Sequence, residues 1–205
     1  MKRGGLEVGW ATWPALSVSP RVESQGRESA AVRVRTAGGA IPKKARRDRK
    51  GGVAGRKEGM DITWLTDRIA VGGGIWNAEN MAEVARAGIT HIIDMQIEFD
   101  DTPLAAQYGI AVCWNPVDDD FEPKPARVFA MGVEFGLRAL EEDGAKLFIH
   151  CAAGVHRAPM MALALLGVMG WTVEDGMDLI EGRRPVADFA DVYVRSVERF
   201  LNGRV

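Results

Sequence analysis

Two cysteines are all that 205 residues contain, too few for the disulfide framework that holds small secreted domains together. Long apolar runs are missing too. The best candidate, Ala158 to Met169, stops at Gly170 and falls short of the roughly 18 residues a membrane span needs. The chain contains no internal repeat. Net charge is nearly absent, −2 in total, but the balance conceals a division. Residues 1–59 hold 14 Lys and Arg against 5 Asp and Glu, about +9, whereas residues 60–205 hold 12 against 23, about −11.

The basic portion is rich in Gly, Ala, Ser and Arg and has no sustained apolar period, so it cannot bury enough surface to offset ordering entropy. It is expected to be a disordered extension. A secretory signal is disfavoured because Glu7, two Trp and Pro14 interrupt the apolar stretch after Lys2 and Arg3; an organellar transit peptide fits the Arg and Ser content better, although the five acidic residues oppose it. The preferred reading makes Met60 the true start. The basic run from Lys43 to Lys57 lacks aromatics and reads as a solvated tail, so no nucleic-acid partner is expected. Residues 60–205 suit one domain, expected to be monomeric and, with a thiolate to preserve, cytoplasmic.

What is present is concentrated in ten residues: His150-Cys151-Ala152-Ala153-Gly154-Val155-His156-Arg157-Ala158-Pro159. The apolar run Leu147-Phe148-Ile149 before them reads as a buried strand, and Met160 to Met169 after them as a buried helix. The segment therefore lies where a strand delivers the chain to a helix N-terminus. There the first backbone N–H groups lack internal partners and the macrodipole adds partial positive charge, which favours an anion. Backbone N–H groups from Ala152 to Arg157 can hold a phosphoryl group, Gly154 permits unusual dihedrals, and Arg157 offers a bidentate fork. Thiols set beside a helix N-terminus and a cation are generally acidified, so Cys151 is the expected nucleophile. Pro159 suits the first helical turn.

This run resembles the H-C-x-x-G-x-x-R signature of cysteine-dependent phosphatases, specifically the dual-specificity branch of the protein tyrosine phosphatase superfamily. The resemblance extends to Ile62 to Gly73, Ala87 to Met95, Asn115 to Asp120 and Ile180-Glu181-Gly182-Arg183-Arg184-Pro185, covering about residues 60–202. It implies a phosphomonoester hydrolase working through a cysteinyl-phosphate, without cofactor or metal. The implied substrates are phosphorylated proteins, with phosphoinositides or phosphoglucans as alternatives. In that family a general acid follows a Pro-apolar-acidic triplet. Here the triplet is Pro116-Val117-Asp118, so the acid position is Asp119, 32 residues before Cys151; Asp118 and Asp120 are the alternatives. Pro116, Pro123 and Pro125 mark this stretch as irregular and mobile.

One departure concerns the residue after the arginine, usually Ser or Thr, whose hydroxyl assists the departing sulfur. Here it is Ala158, as in phosphatases of regenerating liver and plant glucan phosphatases, and it implies slower breakdown of the phosphoenzyme. A second function class follows from it, a slow or inactive phosphate-binding module that recognises phosphorylated partners. His150 is expected to order the loop through hydrogen bonds to nearby backbone. His156 either faces solvent or adds positive charge. Cys113 reads as a core residue, with a redox disulfide to Cys151 as the competing role. Arg183 and Arg184 either pair with acids or rim the site.

Short β-type runs at 69–71, 89–95, 110–114 and 147–149 alternate with helical patterns at 78–86, 126–142, 173–181 and 188–201, with Asn77 and Thr172 as caps. The alternation predicts an α/β fold: a mostly parallel sheet of four to five strands flanked by helices on both faces, the reactive loop opening at the carboxyl end of a central strand.

Overall fold

Strand and helix signals alternate along the chain, and the elements follow them. The computed structural model of the protein describes residues 59–203; the expectations for residues 1–58 lie outside that range. In chain order the elements are β1 (Ile62–Trp64), β2 (Ile69–Gly72), α1 (Ala78–Arg86), β3 (His91–Asp94), α2 (Thr102–Ala105), a 3₁₀ turn at Ala106–Tyr108, β4 (Ala111–Trp114), α3 (Ala126–Glu141), β5 (Leu147–His150), α4 (Arg157–Val168), α5 (Val173–Arg183) and α6 (Asp191–Asn202). Asn77 caps α1 by accepting from the N–H of Asn80 at 2.9 Å, and Thr172 caps α5 by accepting from that of Asp175 at 3.0 Å.

The five strands form one sheet in the order β1-β2-β5-β3-β4. All pairings are parallel except the edge pair β1–β2. β5 is the middle strand and is buried along its whole length, as expected of a parallel strand covered on both faces. The period of two divides its side chains. Leu147 and Ile149 join Ile69, Val71 and Ile93 on the face covered by α3, α4, α5 and α6. Phe148 joins Ala70 and Ile92 on the opposite face, against Met81 and Val84 of α1. In α4, every residue from Arg157 to Leu166 is buried, which makes it the central helix its all-round hydrophobicity implies.

Two local differences from the sequence pattern have physical causes. The helix pair at Thr102–Tyr108 is too short to carry a hydrophobic period and contains Pro103 in its first turn. The last helix begins at Asp191, three residues later than its pattern suggests. Asp188 is held outside it, donating its N–H to the Val155 carbonyl at 2.9 Å.

The end of β2 is the tightest point near the reactive loop. A Cβ on Gly72 would lie 1.9 Å from the Asp61 carbonyl and 2.9 Å from the Phe148 ring. Backbone and a buried ring cannot yield as a flexible side-chain end can. Gly72→Ala is therefore expected to cost about 3 kcal/mol or more. The cost should appear as a lower urea midpoint at unchanged slope; a midpoint equal to that of the parent chain would contradict the packing.

Candidate active site

The loop from Cys151 to His156 connects the C-terminal end of β5 to the first turn of α4. Its backbone carbonyls are tied outward. Ala152 O accepts from Gly74 N at 3.1 Å, Val155 O from Asp188 N at 2.9 Å and Gly154 O from Arg184 Nε at 2.7 Å, with Ala153 O 3.5 Å from Arg184 Nη2. The N–H groups of Ala152, Ala153, Gly154, Val155 and His156 donate to none of the described residues. A loop with its acceptors engaged and its donors free is a receptor for an anion, and the α4 dipole adds to that bias.

Gly154 allows the turn, with φ +64°; a Cβ there would sit 2.5 Å from the carbonyl of Gly72 and 2.4 Å from Arg184 Nη2. Arg184 is buried and does not rim the site. It donates from Nη1 to Asp61 Oδ1 at 2.8 Å and to Thr63 Oγ1 at 2.9 Å, and this pairing holds the Asp61 carboxyl below its usual range.

Arg157 is 3% exposed, and its donors are divided. Nη1 gives to Glu98 Oε2 at 3.1 Å and to the Val117 carbonyl at 3.0 Å, and Nη2 gives to Glu98 Oε1 at 2.9 Å. Glu98 therefore takes the end-on edge of the guanidinium. Nε has no hydrogen-bond partner among the described residues, and one N–H of Nη2 is also left over by this count. The side-on edge, formed by Nε and Nη2, is thus the one whose donors are unengaged and could serve two oxygens of a phosphoryl group. Burial opposes the charged guanidinium, but the hydrogen bonds to Glu98 and the negative charges of Cys151, Glu98 and Asp119 together raise its affinity for the proton. Glu98 was not singled out by sequence, since a carboxylate in an irregular stretch has no spacing that ties it to a loop 59 residues away.

The three candidate acids are distinguished by their neighbours. Asp119 Oδ2 lies 3.0 Å from His156 Nδ1 and 3.8 Å from Arg157 Nε, while Oδ1 accepts from the Tyr193 hydroxyl at 3.0 Å. Asp120 is bound to Lys124 and accepts from Glu122 N at 2.9 Å, which holds its carboxyl low. Asp118 is exposed and has no partner among the described residues. The loop carrying them is irregular, as its prolines imply, but it is tethered to α6: Phe121 N donates to Tyr193 Oη at 3.0 Å and Lys124 N to Ser196 Oγ at 3.1 Å. Phe121 has φ +57°, a region uncommon for a bulky residue, and its ring stacks on Tyr193 at 5.8 Å. Burial pushes the Tyr193 hydroxyl up to about 12, so it remains a donor.

His150 corrects one expectation. Its ring lies against carboxylates and not against backbone, with Nε2 2.7 Å from Asp101 Oδ2 and 3.7 Å from Asp94 Oδ1, all three side chains fully buried. The 2.7 Å contact is short enough for a strong hydrogen bond but poorly aligned for one, so Nε2 and the Asp101 oxygens also lack a well-directed partner. Donor atoms of Asp94, Asp101 and His150 lie within 4.8 Å of one another. However, 2.7 Å is closer than two ligands on one ion at bond lengths of about 2.0–2.2 Å usually approach, and the group reads as a buried charge cluster.

Cys151 is buried at the end of β5, and Cys113 sits on β4 opposite Ile93, which is itself opposite Ile149. With β3 between their strands, the two cysteines are separated by about two strand spacings of ~4.8 Å, beyond the ~7 Å limit between the Cα atoms of a disulfide. Burial, with Asp94 adding to it, pushes the Cys113 thiol up to about 11. Cys113 packs against the core, as its sequence setting implies. Ala158 is the second residue of α4 and fully buried.

Residues 74–200 match the family model described as the dual specificity phosphatase catalytic domain. The human dual specificity protein phosphatase 26 is 33% identical over 92 residues, 43% of this chain and 43% of its own length. The chain thus spans less than half of the curated relatives it matches first. The rat Slingshot homolog 3 is 23% identical over 130 residues, 62% of this chain and 19% of its own. Among solved structures, PTPMT1 in complex with PI(5)P superposes with a TM-score of 0.62 at 17% identity, covering 69% of this chain and 95% of that one. Kinase associated phosphatase superposes with a TM-score of 0.62 at 16% identity, covering 72% and 97%.

The buried cluster makes stability depend on pH. Burial pushes the Asp94 carboxyl up to about 6, with Asp101 adding to the effect and His150 opposing it. An unfolded aspartate titrates near ~3.9, so the folded chain holds this proton more tightly. The stabilisation is complete below about pH 4 and is lost as pH rises through about 6, about 3 kcal/mol by linkage. Urea unfolding of the parent chain and Asp94→Asn between pH 4 and 7 should show this loss in the parent alone. Parallel pH curves would exclude it.

Proposed function

Because this chain belongs to the dual specificity phosphatase catalytic-domain family, we propose that it hydrolyses phosphomonoesters of proteins through a cysteinyl-phosphate. The observation that carries the reading is the division of donors and acceptors around the loop that Cys151 opens: carbonyls tied outward, N–H groups and the side-on edge of Arg157 left over. Substrate phosphate is bound by these donors. The Cys151 thiolate attacks phosphorus, the bond from phosphorus to the leaving oxygen breaks, and Asp119 gives that oxygen its proton. The Asp119 carboxylate then takes a proton from water as the water oxygen attacks phosphorus, releasing phosphate and restoring the thiolate.

Phosphoprotein is favoured over phosphoinositide by charge. A headgroup bearing several phosphates needs cations beside the loop, and here the loop supplies only Arg157 and His156, the latter between two carboxylates. The portion from residue 60 onward is about −11. A structural neighbour holds PI(5)P, and at 17% identity that speaks to fold. Two free cysteines, one needed as a thiolate, suit the reducing cytoplasm.

Hydrolysis of p-nitrophenyl phosphate by the full chain should be abolished by Cys151→Ser; activity persisting in that variant would remove the mechanism. Asp119→Asn should lower kcat for phenyl phosphate by about 10²–10⁴-fold, the usual contribution of a positioned acid, while Asp118→Asn leaves it within about twofold. An equal loss from both would reassign the acid.

Ala158 cannot assist the departing sulfur, so rapid mixing with an aryl phosphate should give a burst approaching one product per enzyme, followed by a slower steady rate. Ala158→Ser should raise that steady rate. A burst-free time course, or a variant no faster than the parent, would place the slow step elsewhere. Oxyanion binding without turnover above the Cys151→Ser control would favour the binding-module reading.

A further inference from the structure

His156 is the residue of the loop whose side chain the reaction as described does not use, and it has the most specific surroundings. It precedes the first residue of α4 with φ −116° and ψ −67° and makes no side-chain cap to the helix. Its ring is directed away from the helix, between two carboxylates. Nδ1 is 3.0 Å from Asp119 Oδ2 and Nε2 is 3.2 Å from Asp188 Oδ2. The ring is 18% exposed, and Phe121 meets it edge-on at 5.0 Å and Tyr193 at 6.5 Å.

We propose that His156 is a positioning residue for the general acid, locking the Asp119 carboxyl group onto the phosphate loop from one side while Tyr193 holds it from the other. The inference rests on Asp119 being that acid. Three segments distant in sequence meet at this imidazole: the acid loop through Asp119, the phosphate loop through His156 itself, and the connection between α5 and α6 through Asp188. The last is fixed independently, because the Asp188 N–H donates to the Val155 carbonyl. Asp188 therefore orients Nε2 from an anchored backbone, which leaves Nδ1 directed at Asp119. The charged and titratable groups facing the ring are Asp119 and Asp188, with Tyr193 behind Asp119 and Arg157 Nε 3.8 Å from Asp119 Oδ2. With Tyr193 on Oδ1 and His156 on Oδ2, the carboxyl plane has little freedom to rotate. Proton donation in the transition state depends on such alignment.

A positioning role should be visible in the dependence of rate on the leaving group, since a poor leaving group requires the proton and a good one does not. The test compares kcat/KM, which reports formation of the cysteinyl-phosphate whatever limits turnover, for 2,4-dinitrophenyl phosphate and phenyl phosphate in the parent chain, His156→Ala, His156→Asn, Asp119→Asn and the double variant His156→Ala/Asp119→Asn. Orthovanadate binding checks that each variant retains the pocket. His156→Ala should lose about tenfold or more with phenyl phosphate and less than about threefold with the dinitrophenyl ester. His156→Asn, whose amide nitrogen falls near the position of Nδ1, should recover most of the loss. In the Asp119→Asn background, His156→Ala should add nothing. Equal losses on both esters, or an additive loss in the double variant, would overturn the inference while leaving the phosphatase reading intact. Loss of all activity in Cys151→Ser together with an unaffected Asp119→Asn would overturn the acid assignment and the role of His156 with it.

Discussion

The reactive loop depends on a close approach between Gly154 and the end of β2, clamped by Arg184. Neither glycine can carry a Cβ without meeting backbone, and Arg184 closes the gap by donating to Gly154 O on one side and to Asp61 and Thr63 on the other. This contact turns the loop carbonyls toward the sheet and the arginine, and so leaves the N–H groups unengaged. A guanidinium is suited to the position because it satisfies several acceptors at once in a rigid fork. The Arg184 pairing is buried, so its worth lies in geometry more than in net stability.

A second arginine organises the opposite side. Arg157 divides its donors between a structural edge and a free one: Glu98 and the Val117 carbonyl fix the guanidinium, and the fixed group presents Nε and Nη2. Pinning Val117 also sets the start of the acid loop, because Asp119 follows two residues later. Tyr193 and Ser196 of α6 hold the rest of that loop. The two loops are therefore registered through Arg157, His156 and Tyr193, and Asp119 reaches the loop from Cys151 to Arg157 without lying near it in sequence.

Much of this was legible in the chain. The strand, loop and helix around Cys151 could be read because local patterning and helix-end chemistry act over a few residues: Leu147 to Ile149 is apolar on both faces, and Ala158 to Met169 is apolar all round. The caps Asn77 and Thr172 are equally local. His150 differs from its sequence expectation in its partners, carboxylates in place of backbone, since a backbone hydrogen bond is the default for a lone buried polar ring. The carboxylates of Asp94 and Asp101 reach it only because β3 pairs with β5 and the following segment folds back over their ends.

By itself the sequence determined the order of elements, the parallel sheet, the loop that runs from Cys151 to Arg157 between a strand and a helix, and the family to which the chain belongs, because each is written in contiguous residues or in a fixed short spacing. Only the tertiary structure decided which carboxylate faces the loop, that Glu98 occupies one edge of Arg157, that Arg184 supports the loop from beneath, that Cys113 is one strand too far to pair with Cys151, and what His156 touches. Each of these depends on the sheet order β1-β2-β5-β3-β4 and on where connections return across its carboxyl end. Contacts between residues 30 to 123 positions apart leave no period or spacing in a single chain, so they emerge only once the strands are paired.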